Sequence, residues 1–337
     1  MGLIIPKKLE KGDTIGIIAP SGGFASRVPH RLDAAMRYLE SEGYVVKKFP
    51  LTAKNNGWES APAEERAKEI MDAFLDKTIK AIICTIGGSV INKTLKFLDF
   101  NKIKKNPKIL CGYSDITVLH YALLKKCNLS TFYGPCAITQ FGEYPRPLNY
   151  TIDYFNRAVK EKNIGRVLPS KEWTDELLDW NKKLDLERPR KMKKNNGFEW
   201  LRKGSAEGNI VGGCLPSICH LLGTSYLPDH KDKILFIELP EGVEFGTGIV
   251  LSKVDAFLCD LELSGIFSQI KGLVFGRPFL YSKEKVNKLK QMILYHTKDY
   301  DFPILYGADI GHSDPQITVP LGTNVKLDSK NNLFEFL

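Results

Sequence analysis

A serine placed at a sharp chain reversal is the first feature with chemical potential. In Lys108-Ile109-Leu110-Cys111-Gly112-Tyr113-Ser114-Asp115-Ile116-Thr117 a short apolar run ends at Cys111, Gly112 permits a tight turn, and Ser114 takes the apex. A 3.6-residue apolar period follows at once through Val118, Leu119, Ala122 and Leu123. Strand, tight turn and helix in this order are the geometry of a nucleophile elbow, which lifts a hydroxyl out of the sheet. The backbone N–H of Asp115, at the helix N-terminus, faces the same space and would stabilise a developing oxyanion. Ile116 stands where the hydrolase G-x-S-x-G pattern has its second glycine. A Ser-Asp pair before an apolar run also reads as an ordinary helix N-cap, so on these residues alone both readings stand.

A serine hydroxyl is a poor nucleophile near neutral pH and needs a base, usually an imidazole oriented by a carboxylate. The chain has six histidines. His120 and His220 lie in apolar helical runs and read as packed residues. His30, His230 and His296 sit among polar or turn residues. His312 stands in Gly307-Ala308-Asp309-Ile310-Gly311-His312-Ser313-Asp314-Pro315, a loop directly after a buried-type strand and bracketed by Gly311 and Pro315. A surface loop histidine is the alternative there. For the carboxylate, Glu238 ends the apolar strand Leu235-Phe236-Ile237-Glu238-Leu239. An unpaired buried carboxylate is costly, so a partner is expected: a lysine in a structural ion pair, or an imidazolium at His312. Asp309 and Asp314 are rivals because they flank His312, although so short a side chain often caps its own turn.

Gly87-Gly88 follows another buried run, Ala81-Ile82-Ile83-Cys84-Thr85-Ile86. Neither phosphate-loop pattern, G-x-x-x-x-G-K-[ST] or G-x-G-x-x-G, is present. The pair is either a strand-to-helix turn needing positive φ or a second backbone N–H donor facing Ser114.

The elements that must position these residues alternate. The strand Thr14-Ile15-Gly16-Ile17-Ile18 leads to a helical pattern ending at Gly43, then to a strand at 44–46, a helix over 63–75, the strand before Gly87, and the elbow strand with its helix. This alternation predicts an α/β fold with a doubly wound parallel sheet. Its functional loops leave the carboxyl ends of the strands, where those after Ala19, Ile86 and Cys111 fall. A chain of 337 residues suggests two domains. We expect an N-terminal α/β domain over 1–165, a linker and substrate loop over 166–205, and a C-terminal domain over 206–337. The last holds strands at 233–239 and 270–276 and helices over 248–263 and 283–294.

Composition is that of a soluble globular protein, 43% hydrophobic and 26% charged. No apolar run approaches the roughly 18 residues that span a bilayer. The N-terminus has neither a signal-peptide pattern nor a myristoylation site, so a cytoplasmic protein without membrane partners is expected. Seven cysteines without a Cys-x-x-Cys pair argue against a disulfide framework or a zinc site. The net charge is +9, and residues 182–203 hold nine Lys/Arg against three acids. Such a block reads first as solvated linker, next as an attractor of an anionic small substrate, and last as a nucleic-acid binder, since no such motif appears.

Taken in order, several short segments resemble one family across nearly the whole chain. They are Lys11-Gly12-Asp13 with Ala19-Pro20-Ser21, Gly87-Gly88, Gly112-Tyr113-Ser114-Asp115, Gly208 to Gly213, Leu222-Gly223-Thr224, Phe236-Ile237-Glu238, Asp309-Ile310-Gly311-His312 and Pro320-Leu321-Gly322. The family is the LD-carboxypeptidases, the serine peptidase group that also contains the microcin C7 self-immunity proteins. The resemblance implies a Ser-Glu-His triad on Ser114, Glu238 and His312, with an oxyanion hole from the backbone of Asp115 and of Gly87 and Gly88. It implies a mechanism with no metal and no cofactor, and a homodimer. It also implies a flavodoxin-like N-terminal domain of the class I glutamine amidotransferase type, with a smaller β-rich α/β C-terminal domain. The reaction would be hydrolysis of an amide by acyl transfer. The substrate would be either an L,D-peptide bond of muropeptides or the amide of an aminoacyl- or peptidyl-nucleotide.

The insert carrying Trp173, Asp175-Glu176 and Trp180 resembles the immunity-type branch, in which aromatics stack on the base. Trp180 is therefore expected at the substrate with Trp173 beside it, the alternative being a tryptophan that packs the linker onto a domain. Leu239 and Pro240 after Glu238, and Asp314 close to His312, depart from the family pattern. Rival readings are an esterase or amidase on the same sheet and a non-enzymatic ligand-binding protein. A glutaminase of this fold would need its cysteine at the elbow, and Cys111 precedes the glycine.

Overall fold

The computed structural model describes residues 2–337. Five parallel strands in the spatial order Phe132–Tyr133, Ile109–Gly112, Ile79–Cys84, Thr14–Ile18 and Val45–Lys48 form the N-terminal sheet. Numbered along the chain this is 2-1-3-4-5, and the order reverses beside Thr14–Ile18. Its inner strands are continuous apolar runs buried on both faces, as helical crossovers require of a parallel sheet. Helices Pro29–Ser41, Ala63–Leu75 and Ile116–Cys127 are among the crossovers. The expected alternation is therefore the one observed.

A second sheet has eight strands. Ser205–Cys214, Ile234–Glu238, Gly272–Gly276 and Ile304–Ala308 form a parallel centre, and antiparallel strands flank it on both sides. Helices Leu251–Leu263 and Lys283–His296 belong to this half, near the expected ranges. Among the described residues no helix is long and apolar enough to cross a membrane. All seven cysteines are free.

The sheets cross the boundaries drawn from sequence. Gly165–Arg166 and Glu199–Arg202 are the two edge strands of the second sheet, although the latter lies in the expected linker. In the other direction Val319–Pro320 pairs antiparallel with Phe132–Tyr133 and completes the N-terminal sheet. Strands of two to four residues carry no readable period, and charged residues on edge strands hide them further while guarding against edge pairing. Nor is the 182–203 block simply solvated: Arg188 is paired with Glu176, Arg190 with Glu143 and Asp314, and Lys193 with Asp175.

The two halves share one contiguous apolar core. At their junction the Tyr133 ring meets the buried Phe236 ring edge-on, with centroids 5.2 Å apart. The helix after the elbow docks on Gly213, where a Cβ would lie 2.4 Å from the Thr117 side chain. Thr117 completes the contact: its hydroxyl donates to the Ser114 carbonyl at 2.6 Å and accepts the Cys214 N–H at 3.0 Å. Truncating a buried phenylalanine costs about 3–5 kcal/mol, so Phe236→Ala should lower the denaturant midpoint by a corresponding amount at unchanged slope. A shift equivalent to less than about 1 kcal/mol would contradict a shared core at this junction.

Candidate active site

The backbone at the elbow is strained at the apex. The residue in the left-handed region is Ser114 itself, with φ of 66°, and Gly112 is not among the positive-φ glycines. A non-glycine residue held there costs about 1–3 kcal/mol and persists only where its surroundings enforce it. Here they do, through the Thr117 bond to its carbonyl and a bond from its N–H to the Tyr133 hydroxyl at 3.1 Å. His120, expected to be a packed residue, bonds the Gly112 carbonyl at 2.9 Å and the Thr131 hydroxyl at 2.8 Å. Burial pushes its imidazole down to about 4, so it is a neutral strut under the turn. The N-cap reading fails: Asp115 is the cap position of Ile116–Cys127, and no side chain caps that helix.

Asp115 uses its carboxylate to fasten the neighbouring loops. It accepts the Ser21 hydroxyl at 2.5 Å and the Val90 N–H at 3.1 Å, while the Gly22 N–H bonds the Gly87 carbonyl at 3.0 Å. Burial raises this carboxyl to about 6, against the downward pull of the Ser21 and backbone hydrogen bonds. Gly87 and Gly88 are not positive-φ residues, contrary to the first of the two readings. They are glycines because space is short. A Cβ on Gly87 would lie 2.7 Å from the Ser114 Cβ, and one on Gly88 would lie 2.6 Å from the Ser21 hydroxyl. The three glycine-bearing loops thus meet at Ser114. The Asp115 N–H is among the first amides of its helix, which have no intrahelical acceptor.

The second sheet delivers the rest. Glu238, at the end of Ile234–Glu238, is fully buried. Its Oε2 lies 2.6 Å from His312 Nδ1, and its Oε1 accepts the Tyr133 hydroxyl at 2.6 Å. No lysine takes this carboxylate. Gly311 makes the approach possible, since with φ of 103° a Cβ there would lie 2.3 Å from Glu238 Oε2. The His312 ring also packs edge-on to Tyr113 with centroids 4.9 Å apart, and its Nε2 faces Glu241 at 3.2 Å. Burial opposes charge on this imidazole, but Glu238 and Glu241, with Asp314 behind them, outweigh it and raise its pKa to about 9. Desolvation, reinforced by Glu238, pushes the Cys214 thiol well up, so it stays protonated.

The rival carboxylates are occupied elsewhere. Asp309 takes Arg277 at 2.7 Å and the Ser170 N–H at 2.7 Å. Asp314 accepts from Arg190 at 2.8 Å and from Gln140 at 3.1 Å, and its backbone exchanges two hydrogen bonds with Thr174. The 166–205 segment thereby holds the histidine loop in place.

Ser114, Asp115, Gly87, Gly88, His312 and Trp180 line one cavity of about 1100 Å³, together with Glu241 and Arg190. The Trp180 ring has the buried Arg31 guanidinium 4.0 Å from its centroid and Phe24 at 6.1 Å. Trp173 is not brought to this cavity; it is held between Lys193 and Arg277, at 4.7 and 4.6 Å. Sequence reasoning missed Tyr133, Tyr113, Glu241 and Arg190. Arg190 carried a signal as part of the basic block, and Tyr113 as the neighbour of Ser114 in the elbow segment; Tyr133 and Glu241 carried none. Among the described residues no group of three or more His, Cys, Asp or Glu side chains is arranged to hold a metal ion.

Comparison with known proteins places the chain in a family. Residues 15–134 match the model of the LD-carboxypeptidase N-terminal domain, and residues 207–327 that of the LD-carboxypeptidase C-terminal domain. The microcin C7 self-immunity protein MccF of Escherichia coli is 31% identical over 97% of this chain and 94% of its own. A Bacillus subtilis protein named "Probable murein peptide carboxypeptidase" is 30% identical over 96% of this chain and 91% of its own. MccF in complex with aspartyl sulfamoyl adenosine superimposes with a TM-score of 0.89 at 30% identity, covering 99% of this chain and 98% of that one. The molecule is thus a serine-type carboxypeptidase built on a two-domain mixed α/β fold. It belongs to the LD-carboxypeptidase family.

Two substitutions probe the geometry. Gly311→Ala should force Glu238 away from His312 and lower kcat by about a hundredfold or more with little change in KM, read by steady-state kinetics. Tyr133→Phe leaves Glu238 Oε1 and the Ser114 N–H without their partner, and should cost about 1–3 kcal/mol of stability in denaturant titration.

Proposed function

We propose that Ser114, His312 and Glu238 act as nucleophile, base and orienting carboxylate, and that the bond cleaved is the amide of an aminoacyl- or peptidyl-nucleotide. One observation carries the triad. A hydrogen-bonded path runs from the Ser114 N–H through the Tyr133 hydroxyl to Glu238 and on to His312 Nδ1. Nucleophile turn and base are thereby referenced to one carboxylate.

His312 Nε2 would take the Ser114 proton as the hydroxyl oxygen attacks the carbonyl carbon. The N–H groups of Asp115 and of the Gly87-Gly88 turn would receive the oxyanion, and one such donor contributes about 10²–10³ in kcat. His312 then protonates the leaving nitrogen, and water, deprotonated by the same imidazole, releases the acyl group. The 2-1-3-4-5 strand order supports the flavodoxin-like description of the N-terminal half, with the site at the carboxyl edge of its sheet. On this reading the serine comes from 1–165, the aromatic wall from 166–205, and glutamate and histidine from 206–337, although the two sheets themselves cross those boundaries.

Two things support the nucleotide: the relative solved with aspartyl sulfamoyl adenosine, and Trp180 on the cavity wall backed by a fixed cation. A muropeptide L,D-bond is the second reading, favoured by the murein peptide carboxypeptidase relative. A side-by-side assay with aspartyl sulfamoyl adenosine and an L,D-tetrapeptide separates them. The nucleotide compound should show the higher kcat/KM, and Ser114→Ala or His312→Ala should lower kcat on it by about 10³ or more. Trp180→Ala should raise KM for the nucleotide compound by about tenfold and leave the tetrapeptide unaffected. A tetrapeptide preference, or equal effects of Trp180→Ala on both, would favour the second reading.

A further inference from the structure

His312 Nε2 has two claimants. In a serine mechanism this nitrogen must face the nucleophile, because Nδ1 is already held by the carboxylate partner. Here Nδ1 is taken by Glu238, and Nε2 faces Glu241 Oε2 at 3.2 Å. Glu241 must therefore yield before the base can serve Ser114, and something must then occupy Glu241.

Its surroundings say what. Of the other carboxylates along the cavity wall, Asp115 is committed to Ser21 and Val90, Glu143 to Arg31 and Arg190, and Asp314 to Arg190 and Gln140, while Glu244, out on the exposed hairpin, is not among the charges acting on His312. Asp179 accepts the backbone amides of residues 181 and 182. Glu241 differs. Its side chain is 55% exposed, and His312 is its carboxylate's one polar contact among the described residues. It stands at the foot of a glycine-bearing hairpin closed by the Glu241–Gly248 bridge and the Gly242 N–H bond to the Thr247 carbonyl at 2.7 Å. The tip of that hairpin is open to solvent, with Val243 95% and Phe245 72% exposed. A carboxylate beside the reacting centre, with its only partner due to leave, suits a small cation carrying several N–H donors.

An aminoacyl group brings such a cation to this spot. Standard bond lengths put its α-nitrogen about 2.5 Å from the carbonyl carbon that the serine attacks. The attacked carbon sits about 3 Å from the serine oxygen, and that oxygen one hydrogen bond from Nε2. We propose that Glu241 is a specificity-determining residue: it accepts the free α-ammonium of the acyl group and, in turning to it, gives up His312 Nε2 to Ser114. This rests on the aminoacyl form of the nucleotide reading above and selects it over the peptidyl form, whose α-nitrogen is acylated and carries no charge. The charge balances. The substrate ammonium replaces the imidazolium as the partner of Glu241, and the imidazolium proton passes to solvent. An N-blocked acyl group brings no cation and leaves the base held.

The groups facing the His312 ring are Glu238, Glu241, Asp314 and the Tyr113 ring. Glu241 is the exposed member, and its negative charge favours the protonated ring, so removing that charge lowers the pKa from about 9. The test compares aspartyl sulfamoyl adenosine with its N-acetyl derivative on the wild type and on Glu241→Gln, across the neutral and alkaline range. The wild type should prefer the free amine by about tenfold or more in kcat/KM near neutral pH. Its kcat for that compound should rise at lower pH than its kcat/KM, because the limb in kcat/KM reports free enzyme and that in kcat the complex. Glu241→Gln should erase the preference and move the kcat/KM limb down for both compounds. A Glu241→Gln enzyme that keeps both the preference and the limb would overturn the proposal.

If wild type hydrolyses neither compound, the nucleotide reading fails, and a second measurement decides Glu241 alone. The His312 imidazole is titrated by NMR with and without L-alaninamide, using N-acetyl-L-alaninamide as the control. A downward shift of its pKa with the free amine only, lost in Glu241→Gln, supports the exchange; identical titrations contradict it.

Discussion

A fully buried carboxylate between two domains is the constraint around which this molecule is built. Glu238 sits where no water can solvate it, and such a charge is tolerable only if each oxygen finds a donor. One donor, His312, comes from its own half; the other, Tyr133, comes from the N-terminal sheet. The Tyr133 hydroxyl in turn accepts from the backbone of the nucleophile turn. Separating the halves would strand the carboxylate and loosen the elbow together, so docking and site assembly are one event. Gly213 and Gly311 mark where this closeness had to be allowed, the first under the elbow helix and the second against Glu238 itself.

The segment between the two family-matched regions has a structural task that its composition conceals. Its lysines and arginines suggest a solvated tether, yet it clamps the loop that carries His312. Thr174 pairs with the backbone of Asp314, Arg190 with its carboxylate, and Ser170 with Asp309. The same arginine contacts Glu143, which also holds Arg31 beneath Trp180. A buried chain of charges therefore joins the aromatic wall to the histidine loop. Such pairs add little net stability for their desolvation cost, but they fix relative position, which an active site needs.

The sequence made some of this legible and hid the rest for physical reasons. Long buried strands with helices between them announced the N-terminal sheet, because parallel strands covered on both faces must be continuous apolar runs. Ser114 was visible from strand, turn and helix. His312 emerged because the other five histidines lay in helical or ordinary polar settings, and Glu238 because an acid closing an apolar strand demands a partner. Pairing Glu238 with His312 was beyond spacing alone, since 74 residues separate them and only the fold brings them to 2.6 Å. Tyr133 was invisible: its strand is two residues long, and a tyrosine in an apolar context reads as core. The backbone strain of the elbow falls on Ser114, at the apex, and not on the glycine before it, which no spacing of residue types could show. Trp173 and Trp180 looked alike in sequence, and only the packing of Lys193 and Arg277 around the first tells them apart.

The central claim is that a hydroxyl, an imidazole and a carboxylate from two domains work as a single unit. The most direct measurement is the rate at which a fluorophosphonate modifies Ser114, followed by intact-mass and peptide mass spectrometry. It should be made on the wild type, on His312→Ala and on Glu238→Gln. Modification of wild type at Ser114 alone, with a large loss of rate in both variants, is the predicted result. Labelling that proceeds equally well without His312 or without the Glu238 charge would contradict the account.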